Sequence, residues 1–174
     1  MKKQLAILPI VLCLIISCQD KQIKAELNEL KSQNELEEKN KSVVQSYWDG
    51  KWNERRPEIL DELQTPDVVY HGPSHTINGI EEYKKVYNSL LPATQDSRLE
   101  IKELIAEGNL VMSRINLVFK HADVLMGIPP TGNEISFDVF TVFRIDNGKI
   151  AEEWEMNDRL ELMQQLGMEL RMKE

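Results

Sequence analysis

His121-Ala-Asp-Val-Leu-Met-Gly127-Ile128-Pro129-Pro130-Thr131-Gly132 opens the stretch that decides the fold, and the stretch runs on to Asp158. After the Gly-Ile-Pro-Pro-Thr-Gly loop comes an alternating run from Asn133 or Glu134 to Ile145. The turn Asp146-Asn147-Gly148-Lys149 follows, then Ile150-Ala-Glu-Glu153-Trp154-Glu155-Met156-Asn157-Asp158. Asn-Gly between two alternating apolar runs is a hairpin signal. The alternation itself sorts each run onto two sheet faces.

Working outward, Leu110 to His121 reads as a long strand, and Leu99, Ile101 and Leu104 or Ile105 mark another that ends at the turn Glu107-Gly108-Asn109. Further upstream the period becomes helical. Ile80, Tyr83, Val86, Tyr87, Leu90 and Leu91 fall on one face of a helix that Asn78-Gly79 introduces and Pro92 follows. Asp67 to His71 is a short strand and Gly72 to His75 a loop. Pro57 suits the first turn of a helix to Leu63, which Thr65-Pro66 stops. Val43, Val44, Tyr47 and Trp48 form the apolar face of an entering helix, with Gly50 as its end. Arg159 to Leu166 closes the chain as a short helix before Gly167. Helices first and a meander of long strands afterwards predict an α+β domain, its helices packed on one face of an antiparallel sheet.

The Gly-Ile-Pro-Pro-Thr-Gly loop and the Phe-Arg-Ile-x-x-Gly-Lys-Ile…Trp…Asp ending resemble the SnoaL-like polyketide cyclase (ester cyclase) family, within the nuclear transport factor 2-like superfamily. The resemblance covers roughly residues 39 to 167. It implies a strongly curved sheet wrapped with the helices into a cone whose open end is a pocket. It also implies an aspartate near the chain's end as general acid/base and a histidine at the pocket mouth. The fold hosts many chemistries, so it does not name the substrate.

Ahead of this domain, Met1-Lys2-Lys3 is a basic start and Leu5 to Ile16 an apolar run of about a dozen residues, too short to span a membrane as a helix. It ends in Ile15-Ile16-Ser17-Cys18, which resembles a bacterial lipobox with Cys18 as the lipidated residue. Residues 1–17 are thus expected to be a lipoprotein signal peptide. Residues 18–38 are expected to be a polar helical tether, 39–167 the domain and 168–174 a tail. Cys13 would leave with the leader, so no cysteine remains for a disulfide, a zinc thiolate or a nucleophile. The expected location is the bacterial cell envelope, with a membrane as partner through the lipid.

The chain carries 21 basic and 29 acidic residues, and 41% of it is apolar. An acidic excess offers no basic stripe to replace counterions on phosphate, which argues against nucleic acid. It names no other partner.

Strand parity supplies the candidate site. Counted from Ile150, the last strand places Glu152, Trp154, Met156 and Asp158 on the apolar face, and Lys149, Glu153, Glu155 and Asn157 on the wet one. Asp158 beside Met156 and Trp154 would have its charged form disfavoured, which suits general acid/base work. The competing role is N-cap of the closing helix, accepting from amides near Leu160 and Glu161. On the preceding strand Ser136, Asp138, Phe140, Val142 and Arg144 share a face. Asp138 and Arg144 lie roughly 20 Å apart at strand rise and cannot pair. Arg114, next to Met112 and Asn116, can meet either one, for structural pairing or for substrate. His71 ends a strand at a Gly-Pro loop and is the second catalytic candidate; His121 precedes the Pro-Pro loop, whose stiffness would suit a lid. His75 reads as solvent-exposed. Three histidines without paired spacing make no metal site. Tyr47, Trp48, Trp52 and Trp154 would line a flat apolar ligand site or pack the core, and Tyr70 and Tyr83 read as core.

The resulting expectation is cofactor-free acid/base chemistry on a small apolar carbonyl compound, by aldol cyclisation, isomerisation or hydrolysis. Asp158 and His71 would be catalytic, and Trp48, Arg114, Asn116, His121, Asp138, Trp154 and Met156 would contact substrate. The alternative is a non-catalytic envelope lipoprotein that holds an apolar molecule. Either form is compatible with a homodimer. The anchor is directly testable: Cys18→Ala should abolish labelling with a fatty-acid analogue and release the protein from membranes, and labelling that survives the substitution refutes it.

Overall fold

The computed structural model describes residues 7–169, 171 and 172, with side chains from residue 21 onward. Residues 1–6 and the side chain of Cys18, on which the signal-peptide and lipidation expectations rest, lie outside the described residues. The chain divides into two compact units, 1–36 and 37–174. From Ile7 onward the first is helical, part of α1 (Ile7–Trp48), and exposes Ile23, Leu27, Leu30 and Leu36. No described helix is long and apolar enough to cross a membrane.

The second unit begins with the end of α1 and continues through a π-helical turn, Asp49–Asn53, to α2 (Ile59–Leu63). Then come β1 (Gln64–His71), β2 (Thr76–Asn78), α3 (Ile80–Leu90), β3 (Thr94–Glu107), β4 (Leu110–His121), β5 (Glu134–Asp146), β6 (Lys149–Asn157) and α4 (Arg159–Gln165). The strands form one curved six-stranded sheet in the order β2-β1-β6-β5-β4-β3. The α+β architecture, with helices against a curved sheet, is as expected. The sheet is mixed rather than wholly antiparallel, because β1 runs parallel to β6. That pairing joins strands far apart in sequence, and local alternation carries no information about it.

The β5–β6 hairpin closes with Asp146 opposite Lys149, and Asn147 and Gly148 hold φ of 49° and 79°. This is the two-residue turn that Asn-Gly favours, since its twist matches that of the strands. On β4 the residues Val111, Ser113, Ile115, Leu117, Phe119 and His121 are all buried. On β5 the same holds for Ile135, Phe137, Val139, Thr141, Phe143 and Ile145. These two rows meet Tyr47 and Trp48 of α1 and Tyr83 and Tyr87 of α3 in one apolar core.

Gly50 does not end its helix. The chain passes through it into the π turn, and Gly50 is buried where a Cβ would stand 2.6 Å from Cγ1 of Ile59. The glycine is there for close approach. Helix propensity alone favours alanine by about 1 kcal/mol, but overpacking of a tight site costs about 1–3 kcal/mol. Gly50→Ala should therefore destabilise the protein in denaturant titrations, and Ile59→Val in the same chain should recover part of the loss.

Candidate active site

Between the sheet and the helices lies a cavity of about 370 Å³. Its sheet wall is Ile115, Leu117 and Phe119 of β4 with Phe137 and Val139 of β5. Trp48, Trp52, Tyr83 and Tyr87 face them from the helical layer, and Ser74, His75, Met126 and Arg159 are exposed residues that also line it. Polar groups are few, which is the usual make-up of a small-molecule site. The chemically useful ones are Lys51, Tyr70, Glu155 and Asn157.

Glu155 and Asn157 face inward because β6 carries a bulge. Ile145 pairs with Ile150, but the next partner pair is Arg144 with Glu152, so Ala151 is an extra residue on β6. One inserted residue reverses the parity of everything after it. Glu153, Glu155 and Asn157 consequently pair with the buried row Phe143, Thr141 and Val139. Trp154 and Met156 turn to the outer face, where they remain 38% and 70% exposed.

Glu153 is fully buried and accepts from Tyr47 Oη at 3.0 Å, Tyr83 Oη at 3.1 Å and Gln64 Nε2 at 2.6 Å. Lys51, also buried, donates from Nζ to Tyr83 Oη at 2.6 Å and Tyr47 Oη at 2.9 Å. Burial and the neighbouring carboxylate push both phenols well above their ordinary pKa.

Glu155 sits at the rim of this network. Asn157 Nδ2 donates to it at 3.2 Å and the Tyr70 hydroxyl also hydrogen-bonds to it. Loss of solvation lifts its pKa above the ordinary carboxylate range. Proximity to Glu153 adds to the rise, and Lys51 and the two hydrogen bonds hold it back. A carboxyl with a raised pKa on the wall of an apolar cavity is equipped to move protons. Asn157 Oδ1 is buried without a partner among the described residues, so the cavity also holds an acceptor that a ligand hydroxyl could satisfy.

The expected site residues fare differently. Trp48 lines the cavity, its Nε1 donating to Ser113 Oγ at 3.1 Å. Asp158 does not. It is exposed and caps α4, its carboxylate accepting from Glu161 N at 2.9 Å. His71 is on the outer face, stacked on Trp154 with ring planes 9° apart and bonded to Glu152 Oε1 at 2.8 Å. Glu152 also accepts from Arg144, and the His71 bond, then Arg144, holds its pKa below the usual range. Arg114 pairs with Asp138 at 3.0 Å and with Glu103 on that same face. Asn116 Nδ2 donates to Asp138 at 2.9 Å. Asn116, Asp138, Met156 and Asp158 do meet, but around a second, more open pocket rather than the cavity.

His121 is fully buried and serves the loop instead of a ligand. Its Nδ1 accepts from Thr131 N at 3.2 Å, and its backbone bonds Gly132 and Asn133. Gly127 to Gly132 does not line the cavity; the lining residues next to it are Leu125 and Met126, in a tight turn closed by Leu125 and Ile128. His75, Tyr70, Tyr83, Lys51 and Glu155 are cavity residues that sequence reasoning left outside the site. The available signal was the spacing of Glu153, Glu155 and Asn157, which share one face, although it was read as the wet face. No group of three or more potential metal ligands occurs among the described residues.

A sheet of this curvature enclosing one apolar cavity defines the nuclear transport factor 2-like class. A family model, SnoaL-like polyketide cyclase, matches residues 42–166, and the chain belongs to that family. It is 29% identical over 126 residues to aklanonic acid methyl ester cyclase DauD of Streptomyces sp. (strain C5), covering 72% of this chain and 77% of that one. Nogalonic acid methyl ester cyclase of Streptomyces nogalater is 28% identical over 121 residues, covering 67% and 89%. The crystal structure of a SnoaL-like protein from Jannaschia sp. CCS1 superposes with a TM-score of 0.72 at 20% identity, over 78% of this chain and 96% of the other.

Because Asp158 acts only as a cap, Asp158→Ala should cost about 1 kcal/mol of stability. It should leave the binding of an apolar ligand, followed by Trp48 and Trp52 fluorescence, unchanged.

Proposed function

We propose that this chain is a cofactor-free acid/base enzyme acting on a small apolar carbonyl compound, with ring closure by intramolecular aldol condensation as its reaction. The observation that carries the reading is Glu155, a half-buried carboxyl with a raised pKa on the wall of an apolar cavity. As carboxylate it takes the proton beside a carbonyl. The resulting carbon nucleophile attacks a second carbonyl of the same molecule, and Glu155 returns its proton to the new alkoxide. The Tyr70 hydroxyl and the Asn157 amide, both bonded to Glu155, orient it toward the cavity. Apolar walls exclude water, which would otherwise quench the carbon nucleophile. The relatives named as cyclases of aklanonic and nogalonic acid methyl esters support a substrate of that chemical type.

The test is incubation with those two methyl esters and with simpler apolar diketo esters, reading for a product of unchanged mass and new ring connectivity. Binding of these compounds without turnover of any would leave a carrier rather than an enzyme. In an active preparation, Glu155→Gln should lower turnover by roughly a hundredfold or more with ligand binding retained.

The same substitution should raise the melting temperature at neutral pH. A carboxyl whose folded pKa is raised penalises folding increasingly as pH climbs from its unfolded pKa to the raised one, and fully above that. The penalty disappears below the unfolded value of about 4.3, where both states hold the proton. The stability advantage of Glu155→Gln should therefore fade as pH falls through the raised pKa toward the ordinary carboxylate range. An advantage that stays constant over that range would show that Glu155 ionises normally.

A further inference from the structure

Lys51 is unexplained by proton transfer at Glu155. It lies in the π-helical turn Asp49–Asn53, a backbone form frequent at functional sites. It is buried and lines the cavity. Its Nζ stands 4.9 to 6.0 Å from the centres of five aromatic rings, those of Tyr47, Trp48, Trp52, Tyr83 and Tyr87. Among the described residues no carboxylate reaches it within 4.0 Å, the ion-pair limit. Two of the three positions on its nitrogen go to the phenols of Tyr47 and Tyr83, and the third has no partner among the described residues. A solvated face would expose such a lysine, and a structural ion pair would give it a carboxylate. Neither is present.

The two phenols connect Lys51 to a proton acceptor. Each bonds the amine on one side and a Glu153 oxygen on the other, at 3.0 Å from Tyr47 and 3.1 Å from Tyr83. A proton can therefore leave the ammonium through either hydroxyl and arrive on Glu153. Burial also pulls the ammonium pKa down, against the opposing pull of Glu153 and Glu155. An amine desolvated in an apolar pocket is a recognised form of activated nucleophile.

We propose that Lys51 is a carbonyl-capturing amine that forms a Schiff base with a ketone or aldehyde bound in the cavity. The proposal rests on the reading that the cavity takes an apolar carbonyl compound, and it changes how that compound is activated. The ammonium first passes one proton through Tyr47 or Tyr83 to Glu153. The freed lone pair of Nζ forms the C–N bond while the carbonyl π pair moves to oxygen, which takes a proton from the Glu155 carboxyl. The Glu155 carboxylate then takes one proton from the carbinolamine nitrogen and returns it to that oxygen, which leaves as water while the nitrogen lone pair closes the C=N bond. The sum is ammonium plus carbonyl to protonated imine plus water, with Glu155 left as carboxylate, Glu153 protonated and no change of oxidation state. A protonated imine withdraws electrons from the adjacent carbon more strongly than the carbonyl does, so the carboxylate of Glu155 can then remove the neighbouring proton to give an enamine.

The wild-type full chain incubated with 4-phenylbutan-2-one, an apolar methyl ketone, and sodium cyanoborohydride tests this. Peptide mapping by mass spectrometry should find the reduced secondary amine on Lys51, at least tenfold above any other lysine. Lys51→Met should lose that adduct, although the wild-type map decides the question even if the variant does not fold. Quenching of Trp48 and Trp52 by the ketone reports binding separately. Binding with no adduct, or with adducts spread over surface lysines, overturns the proposal and leaves the apolar-carbonyl reading standing. No binding of this ketone or of the methyl esters overturns both.

Discussion

Glu153 has no exposed surface, and much of the helical layer is arranged to make that tolerable. Tyr47 from α1, Tyr83 from α3 and Gln64 from β1 all converge on its two oxygens. A carboxylate removed from water without partners is costly, and breaking a buried polar set by deleting one member commonly costs about 3–5 kcal/mol. The side chain is presented by β6, the strand to which β1 adds in parallel. One carboxyl thus couples the entering helix, the third helix and both sides of the parallel β1–β6 pairing. Its phenol partners are also those of Lys51, so the group that ties the layers together supports the floor of the cavity.

The two faces of the sheet solve different physical problems. The inner face is a nearly continuous apolar surface from β4 and β5, interrupted where β6 inserts Glu153, Glu155 and Asn157. The outer face is held by exposed or half-exposed pairs, Arg114 with Glu103 and Asp138, and Glu152 with Arg144 and His71. Pairs of that kind keep the surface polar and add little stability each. Inside the cavity Lys51 is buried and Glu155 half-buried against apolar walls. Glu155 and Lys51 therefore depart from their ordinary protonation behaviour by burial, and proton chemistry can follow from that.

Much of the architecture was legible in the residues. The Asn147-Gly148 turn, the bounds of β4 and the division of β5 into two alternating faces followed from turn chemistry and alternation, because a hairpin constrains its own two strands. The capping role of Asp158 was also visible as a local alternative, since Asp-x-x-Glu at a helix start is a contact within a few residues. The parallel β1–β6 pairing and the role of Gly50 were not legible, because each depends on a partner distant in the chain or across a packed interface. His121 was similarly opaque: its neighbour Thr131 lies ten residues on, across a loop whose path the sequence does not specify.

The sequence by itself determined the family, the α+β order of elements and the amphipathic rows that make a core. These are properties of local period and of turn residues. Which carboxyl meets the cavity was decided only in the tertiary structure. Alternation along β6 runs true within the strand, but the bulge at Ala151 shifts its origin by one residue. The bulge is a relation between β6 and its neighbour, set where the register of Ile145 with Ile150 gives way to that of Arg144 with Glu152. A single inserted residue exchanges Trp154, Met156 and Asp158 for Glu153, Glu155 and Asn157. With it, the chemistry moves from the outer surface to the wall of the cavity.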